Sequence, residues 1–280
     1  MIQQSSNEKA SQSVIEVVLQ ERSKSDVRGV KKIYDKRKAD IHRINPGLGR
    51  DKLFVLLGKH GLLCKRKRRY AVTTQSNHRF NTFSNEMKGY KPTRPHQAWV
   101  GDITYLKTGQ GFVYLFLLTD AYSRKIVGWD LTKSPDVRSG LRAATMAIRQ
   151  CPDTRGLIHH TDHGIQYCNP NYVRKIKSRN IRMSMGEKGN CYENAMAERV
   201  NGILKIEYGL YAKFLNFSQA LKAVRESIKD YNEQRPHWGL KLKIPAVVHA
   251  QQTAAWRAAT WSVKGPVAAL QAVSKTVNFF

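Results

Sequence analysis

The chain has 280 residues, and its 48 Lys+Arg against 21 Asp+Glu leave a formal charge of +27 and a pI near 10.1. That length accommodates one large core with one or two small modules, and so large a basic excess selects a polyanionic partner, nucleic acid first of all. No apolar run reaches the roughly 20 residues that cross a bilayer, and the polar start MIQQSSNEKASQS lacks a signal-peptide core, so a cytoplasmic protein with no membrane role is expected.

Residues 1–13 are expected to form a disordered tail. Residues 14–64 then read as three helices. The first, VIEVVLQERSKSD, ends near Asp26. The second, VRGVKKIYDKRKADIHRI, sets Val30, Ile33, Tyr34, Ile41 and Ile44 at roughly helical spacing. The turn signal Pro46-Gly47-Leu48-Gly49 follows. The third, GRDKLFVLLGKHGL, places Leu53, Leu56 and Leu57 on one face and stops at Gly61. Helix, tight turn and helix with a basic exterior predict a small helix-turn-helix-like DNA-binding domain, with Arg50 and Lys52 among its contacts. The alternative is a helical bundle that only packs on the rest of the chain. Lys65, Arg66, Lys67, Arg68 and Arg69 then open a basic, proline-bearing linker over 65–97, suited to tracking phosphates.

From Ala98 to Ala250 the pattern is that of one α/β domain. WVGDITYL is a strand, Thr108–Gly111 a hairpin turn, and FVYLFLLTD a nearly all-apolar, hence central, strand. KIVGWDL is a third strand. Ser134, Pro135 and Asp136 start a helix with Val137, Leu141, Ala144 and Ile148 on one face. RGLIHHTD is a strand, NPNYVRKIKSRN a helix and IRMSM a fifth strand. After the loop GEKGN comes the helix CYENAMAERVNGILKIEY, then a further helix, FSQALKAVRESIKDYNEQR. RPHWGLKLKIPAVVHA folds back as a short Pro-bounded segment, and 251–280 form a C-terminal tail. This order is that of a ribonuclease-H-like fold, a mixed five-stranded sheet with flanking helices.

Three acids stand out. Asp102 lies within an apolar strand, Asp162 follows another, and Glu198 rides on a helix, thirty-five residues separating the second from the third. Two acids on strands and one on a helix can gather at one end of a sheet. Clustered carboxylates repel one another unless cations neutralise them. The pattern therefore predicts a site for two divalent ions and phosphoryl transfer on DNA, although a salt bridge to one of the many Lys or Arg would also account for Asp102 alone. Asp120, at the end of the central strand, reads as a turn cap, and Glu187, Glu193 and Glu207 lack the spacing of Glu198. His159, His160 and His163 read as neighbours that pack or contact DNA, because a carboxylate set suits Mg²⁺ or Mn²⁺ rather than zinc. Cys64, Cys151, Cys168 and Cys191 have no C-x-x-C pair, which predicts reduced thiols rather than a zinc site.

The strings DITYL, HHTDHGIQY, NCYENAMAERVNGILKIE and YNEQRPHWGLKLKIPAVVH together resemble the OrfB-type DDE transposases of the IS-three family of bacterial insertion sequences, whose core is similar to that of retroviral integrases. The resemblance implies Asp102, Asp162 and Glu198 as catalytic, metal-holding acids. It implies Lys205, two helical turns after Glu198, as a DNA contact. It further implies two Mg²⁺ or Mn²⁺ ions, nicking of terminal inverted repeats, joining of 3′ ends, a homo-oligomer on DNA, and an upstream OrfA partner or fusion. Glu193 stands where the family usually shows Asp, and Arg199-Val200-Asn201-Gly202 replaces a more aromatic stretch. A nuclease without strand transfer and a non-catalytic DNA-binding regulator are the competing readings.

Overall fold

The structure, a computed structural model, describes residues 2–23, 28–64, 81–151, 153–186, 195–251 and 253–254. The basic run Lys65–Arg69, the loop bearing Glu187, Cys191 and Glu193, and the tail from 255 onward lie outside the described residues.

Helices α1 (Ile2–Arg22), α2 (Val30–Ile44) and α3 (Arg50–Lys59) build the N-terminal module. Of the predicted set, Ile33, Ile41, Leu53 and Leu57 are wholly buried, joined by Val14 and Val18 of α1, while Tyr34, Ile44 and Leu56 are partly buried against them. The helix was expected to begin at Val14, but it begins at Ile2. Val14 and Val18 anchor it, and no Gly or Pro interrupts the polar residues before them, so the helix continues outward. Gly61, at φ 66°, sits just past α3 as the predicted stop.

Much of the module's charge turns inward. The Arg28 guanidinium is fully buried between Glu21 of α1 and Asp230 of the core, and Tyr208 donates to the same Asp230 at 2.8 Å. Lys32 Nζ lies 2.7 Å from Glu207, whose two oxygens also accept a forked pair of hydrogen bonds from Arg235, both at 2.7 Å. The module is therefore docked on the core through charges that water barely reaches. Residues 81–97 are not a free linker either. Phe83 and Met87 pack on core residues, and the backbone N–H of Glu86 donates to Ser184 Oγ at 2.9 Å.

The core is a sheet of β1 (Ala98–Thr108), β2 (Gly111–Asp120), β3 (Ile126–Thr132), β4 (Ile158–Thr161) and β5 (Arg182–Met185), in the order β3-β2-β1-β4-β5. The first three strands are antiparallel, and β1, β4 and β5 run parallel. Helices α4 (Val137–Gln150), α5 (Ile165–Cys168), α6 (Pro170–Lys177), α7 (Ala195–Glu207) and α8 (Phe217–Glu233) flank it. The alternation along β2 explains the layering. Phe116 and Leu118 join the cluster under α4 and α6, while Leu115 and Leu117 join the one under α7 and α8. Asp136 caps α4 as expected, accepting from Ser139 N–H at 3.2 Å.

Two elements were not foreseen, the single turn α5 and a two-residue strand β6 (Lys213–Phe214) that pairs with the far end of β1. The pairing depends on Gly109, whose N–H donates to Phe214 O at 2.8 Å; a Cβ there would come within 2.7 Å of Leu215 O.

The C-terminal segment folds back as expected, through a 3₁₀ turn at Trp238–Leu240 and helical residues 245–251. It is fastened by a buried chain of hydrogen bonds. Trp99 Nε1–H donates to His96 Nδ1 at 3.3 Å, which leaves the His96 proton on Nε2 to be donated to His249 Nε2 at 3.1 Å. His249 Nδ1–H then donates to Ser123 Oγ at 2.9 Å, and the Ser123 hydroxyl donates to Asp120 Oδ1 at 2.8 Å. Only this set of tautomers gives every link a donor and an acceptor. Asp120 also accepts from the Ser123 N–H at 2.7 Å, the turn-capping role expected of it.

Candidate active site

Asp102 stands on β1 just beyond the stretch that pairs with β4. The parallel register is Ala98 to Ile158, Trp99 to His159 and Val100 to His160. Continued two steps, it sets Asp162, the first residue after β4, level with Asp102. Gly101 allows the close approach. A Cβ there would lie 3.0 Å from both His159 Cε1 and Thr161 Cγ2.

Helix α7 crosses this pair. Glu198 is in its first turn and exposed, and Asn201, one turn on and buried, donates from Nδ2 to Asp102 Oδ2 at 2.7 Å. The other Asp102 oxygen accepts from the Ile103 N–H at 2.9 Å. One turn further, Lys205 places its Nζ 4.7 Å from the centre of the Tyr105 ring. Glu198, Asn201 and Lys205 thus share one face of the helix, above Asp102 to Tyr105.

The electrostatics join what the geometry gathers. Burial pushes the Asp102 carboxyl up to about 7, and the charges of Asp162 and Glu198 push it the same way, against the hydrogen bonds from Asn201 and Ile103. Burial lowers Lys205, while the charge of Asp102 opposes that shift. Asp162 Oδ1 accepts from the Gly164 N–H at 3.0 Å. Beneath the pair, the fully buried Tyr167 hydroxyl has no hydrogen-bond partner among the described residues. His159 and His160 are buried packing residues, hydrogen-bonded to Tyr172 at 2.8 Å and Ser184 at 2.9 Å.

Two of the predicted acids, Asp162 and Glu198, therefore act on the third, Asp102, and Asp102 acts on Lys205. No group of three or more His, Cys, Asp or Glu among the described residues closes tightly enough to enclose a metal ion. The chemistry of the set still fits one. Its donors are hard carboxylate oxygens, and the strongest charges acting on Asp102 are negative ones that a divalent cation would relieve. Arg50 and Lys52 lie exposed at the start of α3, Arg50 2.8 Å from Asp51 and Lys52 3.3 Å from the Gly47 carbonyl.

Residues 92–191 and 179–245 each match a family model described as integrase core domain. An insertion element IS600 protein of 31 kDa from Shigella sonnei is 38% identical over 192 residues, 68% of this chain and 71% of that protein. The transposase InsF of insertion sequence IS3A from Escherichia coli K12 is 33% identical over 183 residues, 65% of this chain and 64% of that protein. This chain belongs to the IS3-type insertion-sequence transposase family. Among solved structures, the HTLV-2 integrase catalytic core domain in complex with magnesium is 20% identical, at a TM-score of 0.47 over 57% of this chain and 99% of that one. Within the transposase core, Asn201 is the residue that sequence reasoning missed. Its one signal was position, since residues 198, 201 and 205 share a helix face. A polar residue on an amphipathic helix is otherwise unremarked.

Proposed function

We propose that this transposase nicks the terminal inverted repeats of its element and joins the freed 3′ ends to DNA, with Asp102, Asp162 and Glu198 holding two Mg²⁺ or Mn²⁺ ions. The observation that carries the reading is the register of β1 and β4, which sets Asp102 level with Asp162 under the helix that bears Glu198 and whose Asn201 donates to Asp102 Oδ2 at 2.7 Å. Such ions supply Lewis acidity to the attacking and leaving oxygens of an in-line displacement. Asp102 and Asp162 would be presented by adjacent strands and Glu198 by the crossing helix. Asn201, by occupying one oxygen of Asp102, fixes how the other is turned. Lys205, at the rim of the acid cluster, reaches a DNA phosphate or base. Arg50, Lys52 and the run Lys65–Arg69 hold DNA outside the site, which gives binding a steep salt dependence. A water or a DNA 3′ hydroxyl is the attacking group, so no Ser or Tyr nucleophile is required. The working form is a homo-oligomer on DNA in the cytoplasm, with an OrfA partner or fusion contributing to terminus recognition.

The experiment is strand transfer from a pre-cleaved terminal-repeat duplex, wild type beside Glu198→Gln, in Mg²⁺ and in EDTA. Wild type should join ends only with the metal, and the variant in neither condition. Joining by the variant at the wild-type rate would remove Glu198 from the site. Cleavage without joining would reduce the protein to a nuclease, and DNA binding with neither would leave a regulator.

A further inference from the structure

The N-terminal module and the core enclose a cleft of about 860 Å³ between the first turns of α2 and α3 on one side and α7 with residues 235–239 on the other. Its lining holds six basic side chains, Lys31, Lys32, Arg50, Arg124, Arg199 and Arg235, against two acids, Asp51 and Glu207. Both acids are already engaged. Glu207 lies 2.7 Å from Lys32 and from Arg235, and Asp51 lies 2.8 Å from Arg50. That leaves Lys31, Arg124 and Arg199 with no ion pair among the described residues, although Asp51 feels the charge of Lys31 and Arg124 that of Asp120.

Two large aromatic side chains border the same space, one from each wall. Phe54 of α3 is 53% exposed and Trp238 of the core 54% exposed. Lys31 Nζ sits 3.7 Å from the centre of the Trp238 ring, drawn to its electron-rich face, and much of the indole remains open. The cleft runs along the face of α7 turned away from the acid site. Ala195, Met196, Arg199, Val200 and Ile203 line it, about half a turn round the helix from Glu198, Asn201 and Lys205.

Cations outside any ion pair beside open aromatic rings are the pairing by which proteins hold unpaired nucleic acid, phosphates on the charges and bases on the rings. The volume is that of a small-molecule pocket, which admits a few nucleotides of one strand and no duplex. The chain has no better occupant of its own in its basic segments, since residues 65–80 and 255–280 contain no acid. We propose that this cleft receives a short unpaired stretch of DNA strand, its bases against Phe54 and Trp238 and its phosphates against Lys31, Arg124 and Arg199. The choice of DNA rests on the transposase reading above. The cleft would hold a strand peeled from its partner, with α7 standing between it and the acid cluster.

The test uses the full chain and two probes, a short fluorescein-labelled oligothymidine and a blunt terminal-repeat duplex, each titrated by anisotropy at physiological salt. Stacking on one ring contributes enough that its removal weakens binding by roughly 5- to 150-fold. Joint replacement Phe54→Ala and Trp238→Ala should therefore weaken oligothymidine binding by at least about tenfold, with the duplex changed far less. Phe54→Tyr with Trp238→Phe keeps two rings and should retain most of the affinity, which guards against a variant that merely fails to fold. A duplex with 2-aminopurine in an unpaired end should be quenched by wild type and not by the alanine variant. Equal affinity of wild type and alanine variant for oligothymidine, or equal losses for both probes, would overturn the proposal. So would displacement by polyphosphate as effective as by unlabelled oligothymidine of equal charge, because the bases would then contribute nothing. Glu198→Gln should bind oligothymidine like wild type. A protein that binds the single strand through Trp238 and joins no ends would sink the transposase reading alone; one that joins ends with both probes unaffected by the alanine pair would sink the cleft alone.

Discussion

Helix α7 carries a glutamate at each end, and the two stand in opposite surroundings. Glu207 is held between Lys32 and Arg235, and those cations keep its carboxyl below the usual range although burial alone would raise it. Glu198 lies exposed at the other end, facing Asp102 and contributing to that carboxyl's upward shift. A chain with 48 basic residues had cations to spare for both ends. Buried ones hold the glutamate that fastens the module to the core, and Lys205 stands at the margin of the acids. The difference separates charge that holds a structure together from charge left open for an outside cation.

The most drastic way to test that division is to remove an acid from the open end. Asp162→Asn or Glu198→Gln should lower strand transfer by at least about a thousandfold, and the double variant should lose little more, since the acids act as a unit. DNA binding should survive. Variants that lose DNA binding and joining in proportion would place these acids in the docking of DNA instead.

At the closed end the expected loss is of folding. Glu207→Ala leaves Lys32 and Arg235 buried without their acid, a change of about 3–5 kcal/mol in stability by urea titration. Glu198→Ala, on an exposed turn, should change it by less than about 1 kcal/mol. Equal losses from the two would erase the distinction.

His249 sharpens the comparison as a group kept neutral by burial rather than held charged by a counter-charge. Burial and the neighbouring His96 and Lys125 hold its imidazole down to about 3. The unfolded chain therefore binds the extra proton between pH 6.5 and 3, and stability is full above the unfolded value and lost as pH falls toward the folded one. Wild type should lose about 2 kcal/mol between pH 7 and pH 5 through this group. His249→Gln, measured alongside, should lack that component. An identical pH dependence in both proteins would assign the acid sensitivity elsewhere.

The last effect is a gain. Asp102 has a raised carboxyl, so its contribution is present below the unfolded value near 4 and lost as pH rises through about 7. Asp102→Asn should stabilise the metal-free protein at pH 8 by up to about 4 kcal/mol, helped by Asn201, whose Oδ1 has no hydrogen-bond partner among the described residues and can turn to accept from the new amide. Added Mg²⁺ should then raise the melting temperature of wild type and leave the variant unmoved. A destabilised Asp102→Asn would show that the carboxylate is already compensated.

The parts of the molecule that were legible in the sequence are those fixed by residue identity and separation. The acids announced themselves because an Asp in an apolar strand needs a reason, and β2 because ten residues of nearly unbroken apolar character suit only the middle of a sheet. What stayed hidden depends on distant partners. Arg28 and Lys32 counted only toward a basic exterior because their acids, Asp230 and Glu207, lie 202 and 175 residues away. The alternative of a module that packs on the core was open, and these pairs show that it does pack. β6 has no pattern of its own, because two residues become a strand only where Gly109 lets them approach β1. The start of α1 was hidden for another reason: polar residues carry no periodicity to mark a helix that a packed neighbour merely extends.

The chain running from Trp99 through His96, His249 and Ser123 to Asp120 joins residues 153 positions apart at its central link. Topologically it does what a cross-link does, closing the core into a ring and fixing both of its ends at one pole. Unlike a disulfide, it needs no oxidant to form and yields to no reductant. A load applied to the C-terminal segment would pass through His249 to Trp99 at the start of β1 and Asp120 at the end of β2, so this ring ties the end of the chain to the strand that carries Asp102.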